Sequence, residues 1–381
     1  MHTASALQDV DRRHVWHPFT QQLGWCEEKP PLVIDRGNGT NLYDVDGNAY
    51  IDGVSSLWCN VHGHRHPAID SAIRAQLDRV AHSTMLGLTH EPAVELARKL
   101  LAVAPHGLAR VFYSESGATA VEIALKMAFQ FWAQRGEPGR SRFICLENAY
   151  HGDTLGAVSV GAIELFHSMY RPLLFDSLRA RAGDADHLES LLERHGAQTA
   201  AVIIEPLVQG AAGILLQPDG YVRQVRELCD AYDVLLISDE VATGFGRTGR
   251  MFACDQEGVT PDLMCVGKGL TGGYLPLAAT LTTERVYDAF LGEFDEFKTF
   301  FHGHTYTGNP LACAAAIASL ELFQRERTLE ALQPKLELLS RLLAQRIAVL
   351  PGVDEVRQRG FMVGIELIEQ PVADRIGHRV A

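Results

Sequence analysis

The stretch PDLMCVGKGLTGG, residues 261–273, sets four apolar residues, Leu263 to Val266, shortly before a lysine with glycine on both sides. A short unbroken apolar run reads as a strand covered on both faces, as in parallel sheets wrapped by helices. Lys268 then stands just past the carboxyl end of that strand. Working outward, the pattern recurs. ARVFYS (109–114), RFICLE (142–147), TAAVIIEP (199–206), VLLISDE (234–240) and LAATLTT (277–283) read as further strands. Between them AVEIALKMAFQFWAQRG (120–136), HLESLLERHGA (187–197) and DGYVRQVRELCDAYD (219–233) read as helices. In the first, Val121, Ala124, Leu125, Ala128 and Trp132 share one face. The alternation predicts an α/β fold with a mainly parallel sheet flanked by helices, with ligands collecting at the carboxyl ends of the strands.

The two ends differ from the middle. LVIDRGNGTNLYDVDGNAYIDG holds short strand candidates broken by Gly-Asn turns, and PLACAAAIASLELFQRE, from Pro310, is a long helical pattern. VDEVRQRGFMVGIELIE resembles a hairpin. The expected organisation is a large domain over 61–308, with 1–60 and 309–381 together forming a smaller α+β domain. QRGEPGRSR and FDSLRARAGDAD read as solvated loops.

Composition narrows the function classes. The chain has 381 residues, 47% hydrophobic and 21% charged, with a formal net charge of −13. That balance argues against nucleic acid, whose phosphates need a basic face. Without an 18-residue apolar run no membrane span is expected, and the polar N-terminus lacks the apolar centre of a secretory signal. Seven scattered cysteines without a CxxC pair read as free buried thiols of a reducing, cytoplasmic protein. HGHRH (62–66) is the densest histidine cluster, and without helical two-His spacing it reads as a turn rather than a metal site.

The candidate chemistry lies at strand ends. A lysine partly shielded from water holds its amine more often uncharged and can form a Schiff base with an aldehyde. Taken alone, an exposed turn lysine is the simpler reading of Lys268. Asp239 and Glu240 close the run VLLIS, where acids are costly unless they meet a cation or donors. A pyridinium nitrogen would be such a cation, and Arg247 is a candidate ion-pair partner for the same acidic edge. YSESGATAVEIALK (113–126) offers an anion seat, the N–H groups of Gly117 and Ala118 at a helix start. HGHTYTGNPLACAAA (302–316) offers another, with Asn309 as cap, Pro310 in the first helical position and Thr305 upstream. Tyr150, in ENAYHGDT (147–154), can lie on a ring by offset stacking. An anion seat, an aromatic lid, a buried acid and a shielded lysine are together what pyridoxal 5'-phosphate requires.

LLISDEVATGFGRTGRMFACDQEGVTPDLMCVGKGL (235–270) resembles the signature of the class III pyridoxal-phosphate aminotransferases. More narrowly, RRHVWHPFTQ, DGVSSLWCNVHGHRHP, SESGATAVEIALKMA, NAYHGDT and HGHTYTGNPLACAAA resemble the branch that makes 7,8-diaminononanoate for biotin synthesis. The resemblance implies a type I fold and a homodimer with active sites at the subunit interface. It implies that Lys268 carries the Schiff base and moves a proton, that Asp239 pairs with the ring nitrogen, and that Tyr150 lines ring and substrate. Gly117 and Ala118 would hold the phosphate from one subunit, His304 and Thr305 would reach it from the other, and Gly303 would lie by the keto substrate, 8-amino-7-oxononanoate. Phe19, Leu57 and Trp58 would complete the substrate pocket. The branch has Tyr at the position of Phe19 and Trp at that of Leu57. The amino donor implied is S-adenosyl-L-methionine, with L-lysine as the alternative these two departures favour. The sequence stops at Ala381, before the segment that in the family carries an arginine for the substrate carboxylate. A truncated, catalytically poor homologue is therefore a rival expectation, as is another class III ω-aminotransferase or aminomutase.

Overall fold

The computed structural model describes residues 3–27 and 31–368. Three short strands, β1 (Ile34–Asn38), β2 (Asn41–Asp44) and β3 (Ala49–Ile51), form an antiparallel sheet near the N-terminus. The central sheet contains β4 (Leu108–Ser114), β5 (Arg142–Leu146), β6 (Leu178–Ala180) and β7 (Thr199–Ile204). After a small hairpin of β8 (Val208–Gln209) and β9 (Leu215–Leu216) come β10 (Leu235–Asp239), β11 (Leu263–Val266) and β12 (Ala278–Thr283). The seven strands lie in the order β4-β12-β11-β10-β7-β5-β6. All neighbouring pairs are parallel except those of β12, antiparallel to both β4 and β11. The mainly parallel α/β sheet expected from the apolar runs is thus present.

Both faces of the sheet are covered, which explains why its strands are apolar throughout. Ala201, Ile203, Leu235 and Ile237 pack on one side against Val121, Ala124, Ala128 and Trp132 of helix Gly117–Gln134. Val202, Ile204 and Leu236 turn to the other side, against Val222, Val225 and Cys229 of helix Tyr221–Ala231. The alternation follows from the two-residue period of a strand. Each fully buried Val, Leu or Ile contributes about 1.5–3 kcal/mol. Trp132 is wholly buried and donates its indole N–H to the Ala200 carbonyl at 2.8 Å, so its one polar atom is satisfied.

Helix Pro310–Arg325 starts as its sequence suggests. Asn309 Oδ1 accepts from the N–H of Leu311 and of Ala312, both at 3.1 Å, and Pro310 opens the first turn. The helix packs on helices Pro67–Leu77 and Glu91–Val103. The hairpin expected near the end is β13 (Val353–Arg359) with β14 (Met362–Leu367). One segment departs from expectation. FDSLRARAGDAD is not all loop, because it contains the edge strand β6. Three residues, of which only Ala180 is buried, are too few to show a period.

All seven cysteines are free; five are buried, Cys59 is half-buried and Cys26 is exposed, so the expectation of burial fails at Cys26. The histidines of HGHRH serve the fold. His62 meets Ser319 and Phe323, His64 bonds Asp52 at 2.8 Å, and His66 caps helix Pro67–Leu77.

Candidate active site

Because β5, β7, β10 and β11 run parallel, their carboxyl ends share one edge of the sheet. The segments that follow them close around a cavity of about 430 Å³. Gly117, Ala118, Tyr150, Asp239, Lys268 and Trp58 all line it. These residues span most of the chain, so their convergence is a product of topology rather than of sequence proximity.

Asp239, the last residue of β10, is buried. Its Oδ2 meets Nδ1 of His151 at 2.7 Å, and its Oδ1 accepts the N–H of Val241 at 3.1 Å. The His151 side chain is fully buried, and its Nε2 has no partner among the described residues. Arg247 does not pair with this acidic edge. Its Nη2 donates instead to the Trp58 carbonyl at 3.2 Å, and Glu240 is satisfied by the Thr243 hydroxyl and the N–H groups of Ala253 and Cys254. A buried carboxylate takes such donors wherever the backbone already supplies them, with no need of a guanidinium.

Lys268 follows β11 with φ of 40°, a left-handed conformation unusual for a residue with a side chain. Burial holds its amine below the usual lysine range, opposed by the negative charges of Asp239 and Glu205. Its Nζ lies 5.1 Å from the centre of the Trp58 ring, which shields it on that side. Trp58 is carried by an unusual turn. Ser55, Ser56, Leu57 and Trp58 have φ of 53°, 47°, 67° and 67°, one turn of left-handed helix built without glycine. Asp52 holds this turn, accepting from the Ser56 N–H at 2.9 Å, from the Ser56 hydroxyl at 2.7 Å and from His64 Nε2 at 2.8 Å.

The candidate anion seat is the start of helix Gly117–Gln134. Ser116 and Thr119 make a capping box that uses the Thr119 N–H and leaves those of Gly117 and Ala118 at the helix mouth. No side chain fits at Gly117, where a Cβ would stand 2.5 Å from Val241 Cγ1. Gly152 has φ of +118°, and a Cβ there would stand 2.4 Å from the Ala118 Cβ. Gly152→Ala is expected to push Ala118 aside and weaken phosphate binding about tenfold or more, while the fold persists. Equilibrium dialysis of the variant against pyridoxal 5'-phosphate checks this; unchanged affinity would mean that the seat lies elsewhere.

Two further groups belong here that the sequence did not single out. His151 adjoins Tyr150 but shows its role only through Asp239, 88 residues away. Glu205 ends the run TAAVIIEP as Asp239 ends its own, a signal available in the sequence. It is buried and accepts the N–H of Tyr150 at 3.0 Å and of Gly210 at 2.9 Å. Burial pushes its carboxyl up to about 7, with His151 and the two N–H groups pulling the other way. Tyr150 donates its hydroxyl to Asp153 at 2.9 Å, and burial raises the phenol above its ordinary range.

Phe19, Leu57, Gly303, His304 and Thr305 do not line the cavity. Phe19 meets Phe166 edge-on at 5.4 Å, and Phe166 in turn meets Tyr150 at 6.4 Å, so an aromatic row leads from Phe19 to the cavity. Leu57 is exposed, as are Gly303 and Thr305, and His304 bonds Glu115 of its own chain.

The donor set suits a phosphorylated pyridine aldehyde: N–H groups for an anion, a buried acid for a ring cation, aromatic walls and a shielded amine. A mainly parallel sheet carrying these groups along its carboxyl edge defines a fold type I transaminase. The chain belongs to the class III aminotransferases: the family described as Aminotransferase class-III matches residues 25–380. Adenosylmethionine-8-amino-7-oxononanoate aminotransferase of Nitratidesulfovibrio vulgaris is 56% identical over 98% of this chain and 73% of its own length. The crystal structure of the enzyme of that name from Methanocaldococcus jannaschii superposes with a TM-score of 0.97 at 48% identity, covering 100% of this chain and 90% of that one. An omega transaminase from Pseudomonas jessenii, solved in complex with PMP, matches at a TM-score of 0.89 and 30% identity over 95% of this chain and 84% of that one. The chain is therefore a transaminase of the pyridoxal-phosphate-dependent class.

Proposed function

We propose that this protein transfers an amino group from S-adenosyl-L-methionine to 8-amino-7-oxononanoate, giving 7,8-diaminononanoate for biotin synthesis, with pyridoxal 5'-phosphate as cofactor. The observation that carries the reading is the likeness to enzymes of that name over nearly the whole chain, at 56% identity in one case. The convergence of Lys268, Asp239 and Tyr150 on one cavity supports it.

When bound, the cofactor supplies an aldehyde carbon that takes up an amine and a ring that withdraws electrons from it. The chain does the rest. Lys268 Nζ would hold the aldehyde carbon and, when free, would take and return a proton; its lowered basicity suits that exchange. Asp239 would hold the ring nitrogen in its cationic form, and His151 fixes the carboxylate's orientation. Gly117 and Ala118 direct N–H groups at the phosphate from the helix mouth. Tyr150 and Trp58 wall the site against water and line the substrate's approach.

A homodimer with shared sites belongs to the same reading. Phe19, Leu57, Phe301 and Tyr306 are 71%, 69%, 75% and 58% exposed, a large apolar area for a single chain. In the dimer Gly303 and Thr305 serve the neighbouring subunit's site, the first by the keto substrate and the second by the phosphate, with His304 beside them, its ring nitrogens engaged within its own chain. The reading also takes residues 61–308 as the large domain, with 1–60 and 309–381 forming the small one, and places the protein in the cytoplasm. Among the described residues no helix is long and apolar enough to cross a membrane. The last part of the expected small domain, residues 369–381, lies outside the described residues.

L-lysine as donor is the second reading, favoured by Phe19 and Leu57. A half-reaction separates the two. Cofactor-loaded protein mixed with adenosylmethionine alone is expected to lose its visible absorbance band, and with lysine alone to keep it. Bleaching by lysine only would reverse the assignment, and bleaching by neither would remove both.

A further inference from the structure

Four titratable groups join the loop 301–307 to helix Gly117–Gln134 in an unbroken line. Lys126 Nζ lies 3.0 Å from His302 Nδ1, and His302 Nε2 lies 3.1 Å from His304 Nε2. His304 Nδ1 bonds Glu115, the residue before the helix cap Ser116. The chemistry of the two ends fixes every proton between them. An ammonium only donates, so His302 Nδ1 is the acceptor and its proton sits on Nε2. That N–H donates to His304 Nε2, which leaves the His304 proton on Nδ1, pointing at the Glu115 carboxylate. Both rings are neutral, in opposite tautomers, and every nitrogen is used. Phe300 stacks on His302 at 5.6 Å with planes 14° apart, and Lys126 Nζ lies 5.5 Å from the centre of the Phe300 ring.

We propose that the line Glu115–His304–His302–Lys126 is the positioning element of the loop that carries Thr305 to the neighbouring subunit's cofactor. The inference rests on the reading that Thr305 reaches that phosphate. It makes Glu115, His302 and Lys126 positioning residues. It also gives the loop an acid limit. An added proton on either ring would set two N–H groups face to face, or an N–H against the ammonium, and one link would break. Burial first, and then the facing Lys126 ammonium and His304 ring, hold His302 below the ordinary histidine range, against the pull of Glu122 and Glu115.

The test measures cofactor retention by the holoenzyme after rapid gel filtration, between pH 5 and 8, for four proteins. His302→Phe conserves the ring and its stacking but removes both nitrogens. His302→Gln gives up the ring but offers an acceptor and a donor on one planar amide and does not titrate. We expect His302→Phe to lose cofactor about tenfold faster than wild type at pH 8. We expect His302→Gln to match wild type at pH 8 and to lack its acid-induced release. A role in ring packing alone predicts the opposite order, Phe retaining cofactor and Gln losing it, and that result would overturn the proposal. Thr305→Ala is the control on the reading beneath it. If Thr305→Ala retains cofactor as wild type does, the phosphate role of Thr305 fails. If it releases cofactor quickly while His302→Phe does not, the phosphate role stands and the positioning line fails.

Discussion

Lys268→Ala is expected to leave a folded protein with turnover reduced by at least about 10⁴-fold, since in the proposed function Lys268 is both the covalent anchor and the group that moves the proton. The variant should also lose the visible absorbance of enzyme-held cofactor. In the wild type, borohydride reduction followed by peptide mapping should place the pyridoxyl label on Lys268. The structural basis is the environment of the amine. It is shielded by Trp58, set on a left-handed backbone, and kept less basic than an ordinary lysine by burial. As pH rises, the amine should therefore become available earlier than in a solvated lysine, and attachment of the aldehyde should follow that titration. Full activity of Lys268→Ala, or a label on another residue, would remove the mechanism.

Asp239→Asn is expected to reduce turnover by about 10²–10³-fold while the cofactor still binds weakly. The amide oxygen can still accept the Val241 N–H, and the amide NH2 can donate to Nδ1 of the other His151 tautomer, so the local structure has a means of surviving. It has no negative charge to hold a proton on the ring nitrogen. Steady-state assays beside equilibrium dialysis separate the two effects. Unchanged turnover would end the electron-withdrawing role, whereas complete loss of binding would show that Asp239 acts mainly as an anchor.

The features legible in the sequence share a physical cause. β7, β10 and β11 are buried on both faces, so their composition is nearly free of polar residues and their ends are sharp. Lys268 and Asp239 stand where those runs stop, and parallel topology then brings them to one edge. The features that escaped lack such a signature. β6 is three residues at an edge. Arg247 is a plausible partner for the acids on sequence, but the N–H groups that satisfy Glu240 come from Ala253 and Cys254, 13 and 14 residues on, and no local pattern marks them. His151 and Glu205 derive their roles from partners distant in sequence, and no local pattern records that. The line from Glu115 to Lys126 is similar: two of its members lie on or beside one helix, two in a loop over 170 residues later.

The turn at Ser55–Trp58 has a practical consequence for anyone reshaping the substrate pocket. Each of its four residues occupies a backbone state costing about 1–2 kcal/mol for an L-amino acid, a cost that glycine escapes and that asparagine or aspartate bears more readily. A mutant library at Trp58, the residue of this turn that lines the cavity, would therefore be sorted partly by main-chain relief, with small or Asx residues enriched whatever amine is supplied. Comparing each hit's melting temperature with its selectivity, in backgrounds with and without the Asp52 carboxylate, would tell a better-fitting pocket from a merely relaxed one.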